Sequence, residues 1–358
     1  MDPEAHFPSI GPVDRRWPTW LWAAGYAAAY VPWMVLVTAL AAGLLPGQGE
    51  PIAGPAQLPF ASLAWGCSAL VLTVRLGWLQ RLPLRRVLGR QLRLPSASSM
   101  LSGAALATIV LSLSLALAVR GASPLSTAFV ARGSVLMLAV LVDVWFSKRI
   151  GRWVGVGLLL ALASVLLEAH WGTRSVLSTS VTSPLAIYVA AYGIRLVSAS
   201  KSAKTADSTA AWEFFVGEYT SAASAFLLFG AVSIAFSAKG WAIIPVRAAA
   251  GMAPFAIAWL LVTGVFSALI GLFSGLLFVS PEGNAFCALA SRCAGLVGSA
   301  GAALVLAGFW HAAPAPSPKE LTGIPLTFGA IACLFAANRG GRRKTTPTVE
   351  KRLAAEAQ

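Results

Sequence analysis

The feature that most constrains this chain is a succession of apolar runs, each near the ~20 residues needed to cross ~30 Å of hydrocarbon. They cover residues 20 to 44, 57 to 76, 98 to 119, 123 to 146, 153 to 169, 184 to 200, 213 to 236, 252 to 279, 284 to 309 and 321 to 337. Turn formers separate them, such as Pro46, Gly47, Pro51 and Pro55 after the first run and Pro314, Pro316 and Pro318 after the ninth. A soluble domain carries about 25% charged residues. Here charged residues make up 11% of 358, and the mean hydropathy is +0.74. The runs therefore read as the spans of an all-α polytopic membrane protein with ten transmembrane helices.

The net charge of +14 is explained by topology and not by a nucleic-acid partner, because no polar stretch interleaves aromatic and basic residues into a groove. Counted on alternate sides of ten spans, one side receives Arg15, Arg16, Arg75, Arg81, Arg85, Arg86, Arg90, Arg93, Lys148, Arg149, Arg152, Lys201 and Lys204, together with the basic tail from Arg339. The other side receives only Arg120, Arg174, Lys239, Arg247 and Lys319. Basic residues stay in the cytoplasm, so both termini are expected there, with 1–16 and 339–358 as cytoplasmic tails. The first run follows Asp2, Glu4 and Asp14 and is long, so it reads as a retained span and not a cleaved signal. Within 81–95, Leu84, Val87, Leu88, Gln91 and Leu92 follow helical spacing opposite Arg81, Arg85 and Arg93, which predicts a short helix lying on the anionic inner leaflet.

An internal repeat is also legible. Offset by 160 positions, Leu117, Val119, Ala128, Arg132 and Leu136 stand against Leu277, Val279, Ala288, Arg292 and Leu296, and the AAY of 28–30 matches the AAY of 190–192. The halves run from 17 to 169 and from 182 to 338. Each holds five spans, an odd number, so the two must cross the membrane in opposite directions as inverted repeats. Arg132 and Arg292 each lie about nine residues into a span, ~14 Å deep from opposite faces.

These stretches, AFVARGSVLMLAVLVDVWF with RWVGVGLLLALASVL and CALASRCAGLVGSAGAALVLAG with ELTGIPLTFGAIACLF, resemble the fourth and fifth helices of the two EamA-type repeats in the drug/metabolite transporter superfamily. The likeness is to a divergent member. Neither half has the proline that usually follows the arginine position, and Phe146-Ser147 and Ala307-Gly308 replace the usual Gly-Glu pair. The resemblance implies a secondary transporter or permease that exports or exchanges small metabolites across the bacterial inner membrane by alternating access. A flippase-like carrier of lipid-linked or phosphorylated sugars, or a non-transporting scaffold, are the alternatives.

Ionisable groups inside spans cost about 2.5 to 3.5 kcal/mol even on the lenient insertion scale, so each needs a partner or a purpose. Glu218 and Arg292 lie at similar depths from one face and can form an ion pair if their helices meet, while Arg195 competes for Glu218 or snorkels toward Lys201. Asp143 is expected to neutralise Lys148 or Arg149 at the rim. Arg132 has no acidic residue at its depth, and either caps carbonyls of an interrupted helix or awaits an anionic ligand. Tyr30, Trp33, Tyr192 and Trp259 add aromatic faces, so the candidate cavity is lined by Arg132, Arg292, Tyr30, Trp33, Tyr192 and Trp259. Glu218, the deep carboxylate, is the candidate for proton coupling. Gly271 with Gly275, Gly151 with Gly155, and the stripe Gly295, Gly298 and Gly301 predict close helix packing.

Cys67, Cys287, Cys293 and Cys333 all fall in apolar runs without disulfide or metal spacing, and His6, His170 and His311 lie outside the spans. No HExxH, GxSxG, Walker loop or paired carboxylates occur, so neither an enzyme nor a cofactor or metal is expected. The partners expected are a small molecule, anionic in one reading, and the bilayer with its anionic inner leaflet.

Overall fold

A computed structural model describes residues 19–52, 54–87, 89–117, 124–146, 150–171, 179–204, 208–238, 253–280, 282–309 and, more sparsely, 325, 326, 328–333 and 336. The first nine apolar runs each hold one helix: α1 (Thr19–Ala42), α2 (Gly54–Arg75), α3 (Ala97–Leu117), α4 (Pro124–Trp145), α5 (Arg152–Trp171), α6 (Thr179–Ser202), α7 (Ser208–Ala238), α8 (Pro254–Val279) and α9 (Asn284–Phe309). The described residues between 325 and 336 are helical as well. Among the described residues seven helices, α1 to α3 and α6 to α9, are long and apolar enough to cross a membrane. The chain is an all-α, multi-pass membrane protein, the helix being one of the few structures that bond backbone groups internally as hydrocarbon demands.

The segment expected as a short surface helix folds otherwise. After a 3-10 turn (Trp78–Arg81), strands β1 (Leu84–Val87) and β2 (Arg90–Arg93) form an antiparallel hairpin in which Leu84 faces Arg93 and Val87 faces Arg90. Gly89 takes a φ of 80° in the connection between the strands, a conformation open to glycine at little cost. Arg85, Arg86 and Arg90 are exposed. Arg93 donates to the carbonyls of Gln80 and Leu82 and ties the hairpin to its base.

The helices pack in a crossed order. The α3 helix lies against α6 and α7, α8 lies against α1 and α2, and α2 meets α7 and α4 meets α9 between them. One end of the bundle carries the hairpin, Arg75, Arg152, Lys201 and Lys204, and is called the basic end below. It is sealed by aromatic and polar contacts. Trp78 packs edge-on to Trp212 at 5.3 Å and to Phe215 at 5.6 Å. Ser98 on α3 bonds Ser202 on α6 at 2.9 Å, and Asn284 donates to Ser200 at 2.6 Å. Lys204 donates to the carbonyls of Ser280 and Glu282. Asp143, 2% exposed, has a partner that the sequence did not suggest. Its carboxylate accepts the backbone N–H groups of Asn284 at 3.1 Å and Ala285 at 2.6 Å, capping the first turn of α9, where the helix dipole favours negative charge. Lys148 and Arg149 lie outside the described residues.

Close packing follows the glycines in part. A Cβ on Gly264 of α8 would stand 2.3 Å from the Ala61 carbonyl oxygen and 2.6 Å from the Ala64 Cβ, and one on Gly298 would meet the Tyr30 ring at 2.9 Å. Gly271 and Gly275 receive the rings of Trp65 and Phe215, whereas Gly151 and Gly155 have no close neighbour among the described residues. Replacing Gly264 with Val is therefore expected to destabilise the protein by about 3 kcal/mol or more, because helix backbone cannot yield as a side chain can. Replacing Gly155 with Ala should leave the melting temperature of the detergent-purified protein unchanged.

Candidate functional site

Two arginines lie buried in the middle layers of the bundle, and their surroundings differ. On α6, Tyr188, Tyr192 and Arg195 follow an i, i+4, i+7 spacing and so share one helix face. Arg195 meets Glu218 of α7 in a bidentate ion pair, Nε to Oε1 at 2.7 Å and Nη2 to Oε2 at 3.2 Å, with both side chains nearly excluded from solvent. Ser102 of α3 donates to Glu218 Oε1 at 2.6 Å, and Arg195 Nη1 donates to Ser274 Oγ of α8 at 3.2 Å. The Phe278 ring lies 5.1 Å from the guanidinium carbon. Four helices thus converge on one ion pair whose donors and acceptors are satisfied, the condition under which a charge pair is stable away from water.

Arg292 on α9 is the contrasting case. The expected pair with Glu218 does not form, since Arg195 occupies that carboxylate. Arg292 Nη1 donates to the Tyr188 hydroxyl at 2.9 Å, and its guanidinium carbon sits 4.8 Å from the centre of the Tyr192 ring. Nε and Nη2 have no hydrogen-bond partner among the described residues, although Arg292 is only 4% exposed. Tyr26 on α1 is close enough to interact electrostatically with both Arg195 and Arg292, and Tyr192 likewise lies between them. The two arginines therefore belong to one polar layer.

Tyrosines gather around it. Tyr26 and Tyr30 on α1 stack at 5.7 Å, and Tyr188 and Tyr192 on α6 meet edge-on at 4.9 Å. The sequence reading found Tyr30 and Tyr192 but missed Tyr26 and Tyr188. The signal was available, because both pairs are spaced i, i+4 and are offset from each other by the same 162 positions as the matching AAY triplets. Tyr219, the fifth of the chain's 5 tyrosines, donates to the Ala268 carbonyl at 3.1 Å.

On the side away from the basic end, a cavity of about 320 Å³ lies among α1, α2, α3, α7 and α8. It is lined by aromatic groups, Trp33, Trp65 and Phe226, and by the polar side chains Gln57, Ser62, Ser114, Thr263 and Ser267. From Gly54 at its mouth to Trp65 is eleven residues of helix, ~16 Å. Trp65 forms the floor. It is 1% exposed, packs on Phe226 at 4.4 Å and Tyr219 at 5.3 Å, and its indole N–H has no partner among the described residues. Along α8 the small polar stripe continues past this floor, from Thr263 and Ser267 in the cavity to Ser274 at Arg195.

The other expected residues fall in several places. Trp33 lines the cavity, while Tyr30 is buried against Gly298 beside it. Trp259 donates its indole N–H to the Pro46 carbonyl at 3.3 Å and joins α8 to the link after α1. Pro254 opens α8 and does not interrupt it, as suits the first helical position. The Arg132 side chain lies outside the described residues. No group of three or more metal-ligating side chains occurs among the described residues.

No family model and no curated protein matches the chain. Its fold is similar to that of a protein solved by crystallography, with a TM-score of 0.56 and 16% sequence identity over 88% of this chain and 94% of that one. At that identity the likeness speaks for the fold alone.

The ion pair generates a clear expectation. Glu218→Ala leaves Arg195 charged and unpaired in a dry site and should cost about 3 to 5 kcal/mol. The double variant Arg195→Met with Glu218→Leu removes both charges and should melt well above the single variant. Thermal melts of the purified proteins in detergent check both.

Proposed function

We propose that this protein is a secondary transporter of small metabolites, built from two inverted five-helix halves and working by alternating access in the bacterial inner membrane. The observation that carries the reading is the crossed helix packing around a one-sided cavity. Exchanging α1 with α6, α2 with α7, α3 with α8 and α4 with α9 turns each principal contact into another: α3 on α6 becomes α8 on α1, α3 on α7 becomes α8 on α2, and α2 on α7 and α4 on α9 map onto themselves. That is the behaviour expected of a pseudo-twofold axis in the membrane plane. With ten spans and the basic end in the cytoplasm, both termini are cytoplasmic and the cavity faces outward.

Such a bundle has a natural second state. Hydrogen bonds across the proposed halves, Asp143 to α9 and Ser98 to Ser202, close the cytoplasmic end while the outer cavity stands over Trp65. Rocking the halves about the Arg195–Glu218 layer would open one end as the other closes. The exposed Arg85, Arg86 and Arg90 of the hairpin suit the anionic inner leaflet, where each basic group near the surface is worth about 1 kcal/mol. Glu218 serves proton coupling in this reading only if a state of the cycle frees it from Arg195.

Two-sided access is the test, and it requires no knowledge of the substrate. In a cysteine-free background, Ser267→Cys should react with a membrane-impermeant thiol reagent from the outside. Ser200→Cys, buried at the basic end, should react slowly from the cytoplasmic side as the protein alternates. Prior attachment of a bulky group at position 267 should hold the outer cavity open and suppress labelling at position 200. A residue 200 that reacts only after denaturation would sink the transport reading in favour of a scaffold.

A further inference from the structure

The open edge of Arg292 points to a ligand. Nε–H and one Nη2–H of a guanidinium lie on the same edge of the plane and point the same way, the geometry that receives both oxygens of a carboxylate. Among the described residues such an edge is filled where Arg195 holds Glu218 at 2.7 and 3.2 Å. Arg292 presents the same edge with no partner among the described residues, at 4% exposure, while Nη1 is fixed by Tyr188 and the ring of Tyr192 supports one face. A buried cation with open donors is costly unless an anion or water completes it. The hydroxyl of Tyr188 and the Tyr192 ring offset part of that cost and also hold the guanidinium in one orientation.

No described acidic side chain is free to complete it. Glu218 is engaged by Arg195 and Ser102, and Asp143 caps α9. Glu50 lies in the link after α1, Glu213 in the first turns of α7, and Glu282 in the link before α9. The same inventory has a second consequence. A ligand that docks a carboxylate on Arg292 finds no free carboxylate among the described residues to pair an ammonium group. The described neighbours of this guanidinium are aromatic: Tyr188 at Nη1, the Tyr192 ring over its carbon, and Tyr26 within electrostatic reach.

We infer that Arg292 binds the carboxylate of a compact organic acid with an apolar body and no cationic group, held side-on by Nε and Nη2. Resting on the transport reading, this makes the cargo a simple carboxylic acid in its anionic form, not a zwitterionic amino acid and not a halide. Two parallel donors fit two oxygens about as far apart as those of Glu218, whereas a halide can use only one position between them. Tyr188 acts as a positioning residue by fixing the third nitrogen.

The experiment uses the full-length protein in nanodiscs with 3-phenylpropanoate, its amide, phenylalanine and sodium chloride as probes at constant ionic strength. The acid should raise the melting temperature saturably, as a ligand of the native state does. The amide and chloride should have no effect, and phenylalanine should bind at least about tenfold more weakly, because its ammonium would be buried without a partner. Arg292→Lys keeps the charge and loses the fork, and should weaken the acid about tenfold or more. Stabilisation by the amide or chloride equal to that by the acid, phenylalanine binding as tightly as the acid, no effect of the acid on the wild type, or undiminished binding by Arg292→Lys would each overturn the proposal. The wild-type comparisons decide the matter if the variant does not fold. Failure here leaves the labelling result untouched, since that measurement involves no ligand.

Discussion

Burying charge in hydrocarbon is the constraint on which this bundle depends. Arg195 and Glu218 meet it by completing each other, and because the two residues come from α6 and α7 while Ser102 and Ser274 come from α3 and α8, their hydrogen bonds bind four helices at one depth. In water such a pair would be worth little. In a dry layer neither member can be released without leaving the other exposed to the full cost of desolvation. The crossed packing of α3 on α6 and α7 is the arrangement that brings these four groups within reach, so the electrostatics and the helix order support the same structure.

The aromatic content is distributed to match. The tyrosine pairs of α1 and α6 flank the polar layer, offering hydroxyls and ring faces to guanidinium groups. Trp65 separates that layer from the cavity above it, resting on Phe226 and Tyr219 and filling the space left by Gly271. A glycine is required there, since a Cβ at position 271 would stand 2.7 Å from the indole ring.

Span positions were legible because hydrocarbon thickness imposes a length and a composition that no other structure meets, and the first nine apolar runs each contain a helix. The hairpin at 84–93 was misread for a physical reason. Leu84, Val87, Leu88, Gln91 and Leu92 fit a 3.6-residue period, but Gly89 with its left-handed backbone and Val87 opposite Arg90 decide for a hairpin. Depth along a span was also legible, and it placed Glu218, Arg195 and Arg292 in the same slab of the bundle. Which of two arginines takes the carboxylate was not, because depth says nothing of which helices are neighbours. Tyr26 and Tyr188 were hidden only by the prior that an aromatic in an apolar helix is packing material.

The cap on α9 has a consequence of its own. Asp143 is 2% exposed and holds two backbone N–H groups beside Gly283, where a side chain would crowd the carboxylate at 3.1 Å. The hairpin arginines stand in the opposite situation, exposed at the same end of the molecule. Dissolved salt screens charges in water over about 8 Å at physiological strength but scarcely reaches a buried contact. Ionic strength therefore weakens what the exposed hairpin arginines do in water while leaving the helix-capping bonds at nearly full strength, so this end of the molecule carries one set of charges that salt adjusts and one that it does not.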